Sequence, residues 1–318
     1  MKIVILDGYA LNPGDLDWNV LREFGEVVVY DRTKKEDAIE RLADADAAIT
    51  NKFPFDKNLI ESLPKLKFIA VTATGYDIID CKAAREAGVT VTNIPAYSTD
   101  SVAQTVFAFI LNIMNGVQHF TDENRNGRWS RCEDFCYWDS TLHELTGKSI
   151  GIIGMGHIGQ RVAQIANAFG MKVLAKTSKD KDLLPEYVEK ASLEDIFREA
   201  DIISLHCPLT PDTRNMIDEA SIRMMRPSTI VINTSRGPLV NEKAMAKALE
   251  EGKVAAYATD VMEHEPPSAD CPLLKAPNCF ITPHVAWATY EARVRLMDIL
   301  VENFRAFLQG TPINVVNK

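Results

Sequence analysis

Long apolar runs are missing from this 318-residue chain. Its most apolar stretch, residues 102–114, is broken by Gln104, Thr105 and Asn112, whereas a membrane-spanning helix needs roughly 20 predominantly apolar residues. At the amino end, Ile3-Val4-Ile5-Leu6 meets Asp7 after four residues, too short for the core of a signal peptide. No membrane span and no export are expected, and a cytoplasmic location follows. Cysteine is sparse: six residues, Cys81, Cys132, Cys136, Cys207, Cys271 and Cys279, with no C-x-x-C pair. Cys132 and Cys136 are spaced to share a helix face, but no second ligand pair follows them. Reduced thiols are therefore expected, with neither a disulfide framework nor a metal. Basic runs are also absent, and the net charge is −9. That argues against a nucleic-acid partner, because phosphate contacts need clustered Lys and Arg. No low-complexity segment and no repeat with a period of roughly 20–50 residues is found.

What remains is the mix of an ordinary globular protein, 46% hydrophobic and 25% charged. At roughly 150 residues per domain the length suggests two domains. Short β-rich runs alternate with amphipathic stretches from end to end. Strands are expected at residues 2–6, 26–30, 47–50, 68–72 and 89–92, with helices near 15–24 and 36–45. After a polar, aromatic-rich loop around 131–146 the pattern restarts. Strands then fit residues 149–153, 172–175, 202–205, 229–233, 255–259 and 280–282. Ser192-Leu193-Glu194-Asp195 reads as a capped helix start. Strands alternating with helices imply βαβ units and parallel sheets. Long helical stretches at about 99–116 and 288–308 frame the second series, and a strand-like tail, 311–318, follows. The expectation is an α/β chain of two doubly wound, Rossmann-like domains, one inserted into the other. The outer domain would comprise residues 1–100 and 289–318, and the inserted one residues 101–288.

Gly154-Met155-Gly156-His157-Ile158-Gly159 is G-x-G-x-x-G, following one expected strand and opening an expected helix. Gly154 would make the tight turn, Gly156 would admit a pyrophosphate, and Gly159 would let the helix pack close to the sheet. The helix start would offer free N–H groups to the phosphates. The next strand should end at the residue that meets the adenosine ribose. An NAD site usually places Asp or Glu there, but here the chain reads Lys176-Thr177-Ser178-Lys179. A lysine and two hydroxyls can hold a 2′-phosphate through charge-assisted bonds. The cofactor reading is therefore NADP or NAD, with NADP(H) favoured.

Three further segments sit at expected strand ends, where ligands of open α/β sheets bind. They are Asn233-Thr234-Ser235-Arg236-Gly237, Asp260-Val261-Met262-Glu263-His264-Glu265-Pro266 and Thr282-Pro283-His284-Val285-Ala286-Trp287. An Arg, an acid and a His suit the reduction of a carbonyl beside a carboxylate. Arg236 can fork onto the carboxylate, His284 can give a proton to the carbonyl oxygen, and Glu265 can orient the imidazole. Spacing alone leaves bland alternatives: a surface ion pair for Arg236, a core histidine for His284, a loop cap for Glu265. It also leaves Glu263 or His264 as substitutes for Glu265.

Taken with Thr74-Gly75-Tyr76-Asp77, Asn93-Ile94-Pro95-Ala96-Tyr97-Ser98 and His206-Cys207-Pro208-Leu209-Thr210, these segments resemble the D-isomer-specific 2-hydroxyacid dehydrogenase family over nearly the whole chain. The resemblance implies a discontinuous, flavodoxin-like substrate domain, an inserted cofactor domain, and a cleft that closes on the substrate. It implies that His284 is the proton donor in reduction, Glu265 its partner, and Arg236 the substrate-binding arginine. Backbone N–H groups of Ala73, Thr74 and Gly75 would meet the substrate carboxylate. His157 and Ile158 would flank the pyrophosphate, and His206 and Cys207 the adenosine. Thr234, Ser235, Arg236 and Asp260 would line the nicotinamide side, approached by Thr105. Asn51-Lys52, Pro95-Ala96-Tyr97-Ser98-Thr99, Tyr137-Trp138 and Pro283-His284-Val285-Ala286-Trp287 resemble the glycerate dehydrogenase, or hydroxypyruvate reductase, branch. They favour hydroxypyruvate or glyoxylate, reduced to D-glycerate or glycolate, with Asn51 near the substrate. Members of the family are commonly homodimers, so a homodimer is expected. Other implied readings are phosphite or another 2-hydroxyacid as substrate, or a dinucleotide-sensing corepressor.

Overall fold

The computed structural model describes residues 1–318. They form two compact units: residues 1–98 with 288–318, and residues 99–287. No helix is long and apolar enough to cross a membrane.

The first unit is built on β1 (Lys2–Ile5), β2 (Glu26–Val29), β3 (Ala47–Thr50), β4 (Phe68–Val71) and β5 (Thr90–Thr92). They pair in the order β2-β1-β3-β4-β5, all parallel. That is the flavodoxin-like order, and it reverses direction between β1 and β3. Strands β3 and β4 are buried at every residue, as expected where helices cover both faces of a parallel sheet. The helix Tyr290–Leu308 returns to this unit. Its Phe304, fully buried, stacks on Phe24 and meets Phe68 edge-on. Its Arg293 forks onto Asp15 at 2.5 and 2.6 Å.

The second unit carries β6 (Ser149–Ile153), β7 (Lys172–Lys176), β8 (Val188–Lys190), β9 (Ile202–Leu205), β10 (Ile230–Asn233), β11 (Ala256–Thr259) and β12 (Cys279–Ile281). Their order, β12-β11-β10-β9-β6-β7-β8, is again all parallel. It is the doubly wound 3-2-1-4-5-6 order with a seventh strand added, and its switch point lies between β6 and β9. Apolar clusters pack on either face. One gathers Ile196, Phe197, Ile222, Met245 and Leu249; the other gathers Val106, Ile110, Val162, Ala163 and Ala166.

Several elements differ from the sequence reading. Residues 15–24 yield only a 3-10 helix, Trp18–Phe24, which stops at Gly25. The 36–45 stretch splits into a 3-10 turn, Lys35–Asp37, and a five-residue helix, Ala38–Leu42. β8 was not anticipated. The tail makes one antiparallel bridge, Val315 to Thr92, rather than a strand. β7 extends to Lys176, because that residue pairs with Ile153.

Candidate active site

The carboxyl ends of β6, β7, β9, β10, β11 and β12 share one edge of the second sheet, and the chemistry-bearing side chains of that unit gather there. The glycine turn lies at the switch point. Gly154 has φ of 104°, and its N–H donates to the Lys176 carbonyl at 2.9 Å. A Cβ at Gly154 would lie 2.5 Å from the His206 carbonyl oxygen, and one at Gly159 would lie 2.0 Å from the Gly154 carbonyl oxygen. Glycine is thus required at both places. At Gly156 a Cβ would meet nothing within 4 Å, so this glycine borders open space. The helix His157–Ala168 starts there without a side-chain cap, leaving its first N–H groups for a ligand.

Lys176 stands exposed at the end of β7 and pairs with no carboxylate. Thr177 turns back, its Oγ1 accepting from the Lys179 N–H at 3.1 Å, and Ser178 is exposed. On the other side of Gly154, the His206 Nε2 contacts the Ser204 Oγ at 2.8 Å, and burial pushes its pKa down to about 4. Burial pushes the Cys207 thiol up. The Cys207 carbonyl accepts from the Ser235 Oγ at 2.7 Å, which ties the ends of β9 and β10 together. The Thr234 Oγ1 is buried and has no hydrogen-bond partner. Such an orphan is rare and points to a ligand group.

Arg236 is exposed, and one of its guanidinium nitrogens donates to the Ser235 carbonyl at 2.9 Å. Its turn sits hard against the next loop, since a Cβ on Gly237 would lie 2.0 Å from the Met262 carbonyl carbon. The Met262 N–H donates to the Glu265 Oε1 at 3.0 Å, and the Glu265 Oε2 lies 2.6 Å from the His284 Nδ1. A carboxylate accepts, so Nδ1 carries a proton, and Nε2 is the ring nitrogen left for a ligand. His284 takes φ of 55°, an uncommon backbone for a non-glycine residue and one that functional sites retain. Its loop is fastened by Asp260, which accepts from the Thr282 Oγ1 at 2.6 Å and from the Val285 and Ala286 N–H groups at 2.9 Å each. Burial raises the Asp260 carboxyl pKa against the pull of these donors. The Ser101 Oγ donates to the Ala286 carbonyl at 2.5 Å, and Thr105 lies one turn further along that helix.

The remaining candidates lie in the first unit. Asn51 is buried, and its Nδ2 donates to the Thr72 carbonyl at 2.8 Å. The N–H groups of Asn51, Lys52 and Phe53 all donate to the Asp7 carboxylate at 2.6–2.9 Å. In the 73–75 loop the Ala73 carbonyl accepts from the Ile94 N–H, and the Thr74 Oγ1 donates to the Ile94 carbonyl. The N–H groups of Thr74 and Gly75 have no acceptor within the chain. Sequence reasoning missed Asp7 and Thr282. A polar residue directly after β12 was the available signal for Thr282; nothing local marked Asp7.

The tight glycine turn, the open space at Gly156, the uncapped helix start and the orphaned Thr234 hydroxyl together fit a nicotinamide dinucleotide. The fold and this edge define an NAD(P)-binding α/β protein. The family model for the D-isomer specific 2-hydroxyacid dehydrogenase NAD-binding domain matches residues 107–286. A hydroxypyruvate reductase of Blautia hydrogenotrophica is 48% identical, with all of both chains covered. A glycerate dehydrogenase of Methylorubrum extorquens is 40% identical over 99% of this chain and 98% of its own. An acyclic imino acid reductase, solved with NADPH and D-Arg, superposes with a TM-score of 0.87 at 32% identity, covering 99% of this chain and 100% of its own. The chain belongs to the D-isomer-specific 2-hydroxyacid dehydrogenase family and is an oxidoreductase.

His206 links the cofactor edge to stability. Its folded pKa, about 4, lies below the ordinary 6.5. Stability from this group is complete above pH 6.5 and is lost as pH falls toward 4, because only the unfolded chain takes up the proton. Melting temperature compared at pH 7.5 and 4.5 should fall less in His206→Asn than in the parent. Parallel falls in both proteins would exclude His206 as the source.

Proposed function

We propose that the protein reduces a small 2-oxo acid, hydroxypyruvate or glyoxylate, to D-glycerate or glycolate, with His284 as the acid. The contact between His284 Nδ1 and Glu265 Oε2 at 2.6 Å carries this reading. It fixes the tautomer and leaves Nε2 to donate. When bound, the reduced nicotinamide supplies the hydride to the carbonyl carbon. His284 delivers the matching proton to the carbonyl oxygen, so C=O becomes CH–OH and the imidazole is left neutral. Glu265 stabilises the charged ring before transfer and holds its plane. In the reverse direction the same Nε2 takes the proton from the hydroxyl. Arg236 binds the substrate carboxylate through its planar fork and polarises the neighbouring carbonyl. In the first unit, the N–H groups of Thr74 and Gly75 are free to donate to a carboxylate. The names of the two relatives support the substrate class, and hydroxypyruvate fits both.

Gly154, Gly156, His157, Ile158 and Gly159 would hold the pyrophosphate, with His206 and Cys207 beside the adenosine. Thr105, Thr234, Ser235 and Asp260 would hold the nicotinamide side. Lys176, Thr177 and Ser178 favour NADP(H), because an unpaired ammonium at a ribose position attracts a 2′-phosphate. Asn51 is read as shaping the substrate loop through Thr72. A homodimer is supported by Trp129, Phe135 and Trp138, exposed on one loop of the second unit.

Initial rates with hydroxypyruvate, glyoxylate and pyruvate, each with NADH and NADPH, test the substrate and the cofactor. Hydroxypyruvate should be turned over fastest. His284→Ala should lose roughly 10²–10⁴-fold in kcat while dinucleotide binding, followed by fluorescence, persists. Full activity in that variant would remove His284 from the chemistry. Lys176→Asp should move the preference toward NADH; an unchanged ratio of the two kcat/KM values would place the selecting group elsewhere.

A further inference from the structure

One half-buried carboxylate beside the His284–Glu265 pair has no part in the chemistry above. Glu242 opens the helix Glu242–Glu250, directly after the Arg236 turn. Its Oε1 accepts from the Glu263 N–H at 2.7 Å, and its Oε2 lies 3.5 Å from the Cys271 thiol, which donates to it. Both oxygens are therefore engaged, one of them by the backbone of the loop that carries Glu265.

That backbone contact falls at a pivotal peptide. The Met262 N–H holds the Glu265 Oε1, and the very next N–H, that of Glu263, is held by Glu242. Gly237 packs against the same Met262–Glu263 peptide, so the Arg236 turn rests on it as well. The Met262 N–H lies on the preceding peptide, joined to this one at the Met262 Cα, so the Glu242 bond holds one side of the residue whose other side holds Glu265, and Glu265 holds the His284 Nδ1. A single carboxylate–amide bond thus restrains both the arginine and the histidine sides of the site.

We propose that Glu242 is a positioning residue for the proton-transfer pair. It clamps the Met262–Glu263 peptide and so fixes Glu265 against His284. Geometry, not charge, does this, because the atom that matters is an acceptor aimed at one N–H. The inference rests on the assignment of His284 as the acid. Asp260 and Glu265 face the His284 loop. Cys271 touches Glu242, whose charge also reaches Cys279 and Tyr257, and burial pushes both thiols up, Cys279 to about 12. Arg214 pairs with the exposed Glu263 side chain at 3.4 Å.

Two substitutions separate reach from charge. Glu242→Gln keeps the acceptor oxygen at its place and loses the charge. Glu242→Asp keeps the charge and withdraws the oxygen by one methylene. The measurement is kcat and KM for hydroxypyruvate reduction, with melting temperature and dinucleotide affinity recorded for each variant and His284→Ala run alongside. Glu242→Gln should stay close to the parent. Glu242→Asp should lose about tenfold in kcat, as expected for a small misplacement of a reacting group. KM for hydroxypyruvate, dinucleotide affinity and melting temperature should be retained. Equal loss in both variants, or a loss in Glu242→Asp that tracks a fall in melting temperature, would overturn the clamp. An active His284→Ala would instead overturn the acid assignment, so the two failures are distinguishable.

Discussion

Past the ends of the parallel strands lie loop N–H groups that the ladder does not reach, and in this protein carboxylates collect them. Asp260, one residue past β11, takes the Val285 and Ala286 N–H groups and the Thr282 hydroxyl. Glu265 takes the Met262 N–H, and Glu242 that of Glu263. Asp7, two residues past β1, does the same for Asn51, Lys52 and Phe53. Charge-assisted bonds of this kind are short and strong. They give loops that lack a ladder a defined shape at the edge where doubly wound sheets bind ligands.

The proposed chemistry depends on that shape. His284 has a backbone that most residues avoid, with φ of 55°, and only a loop fastened on both sides holds it there. Asp260 fastens the residues after it, and the Trp287 indole N–H donates back to the His284 carbonyl at 2.8 Å. The ring is then free to do one thing: keep Nδ1 on Glu265 and present Nε2. The Arg236 turn leans on the same Met262–Glu263 peptide through Gly237. The proposed carboxylate binder and the proposed proton donor thereby lean on one stretch of backbone, the kind of arrangement that preorganised catalysis requires.

Much of this was legible in the sequence where the constraint is local. The G-x-G-x-x-G turn announces itself because Gly154 and Gly159 answer contacts within a few residues or one strand over, and Gly156 borders open space. Ser192 and Asp195 form the capping box their spacing predicted. The alternation of strands and helices was enough for two parallel sheets. Short edge elements were not legible: β8 is three residues long, with two of them exposed, so its apolar pattern is one valine. Residues 15–24 carry helical spacing, but Gly25, at φ of 151°, ends the segment as a 3-10 helix. Asp7 was missed because its partners lie 44–46 residues away, and nothing in Ile5-Leu6-Asp7 signals them. For Asn51, the residue was visible in sequence, but its bond to Thr72 was not.

The central claim is that the Glu265–His284 contact sets the proton donor. Its most direct test is kcat of Glu265→Gln against the parent, measured with hydroxypyruvate in the reductive direction, with melting temperature recorded for both. Loss of the carboxylate removes the charged partner of the His284 Nδ1, so kcat should fall at least about tenfold at an unchanged melting temperature. A kcat equal to the parent's, or a fall that only follows lost stability, would contradict the account and leave Glu265 as a loop cap.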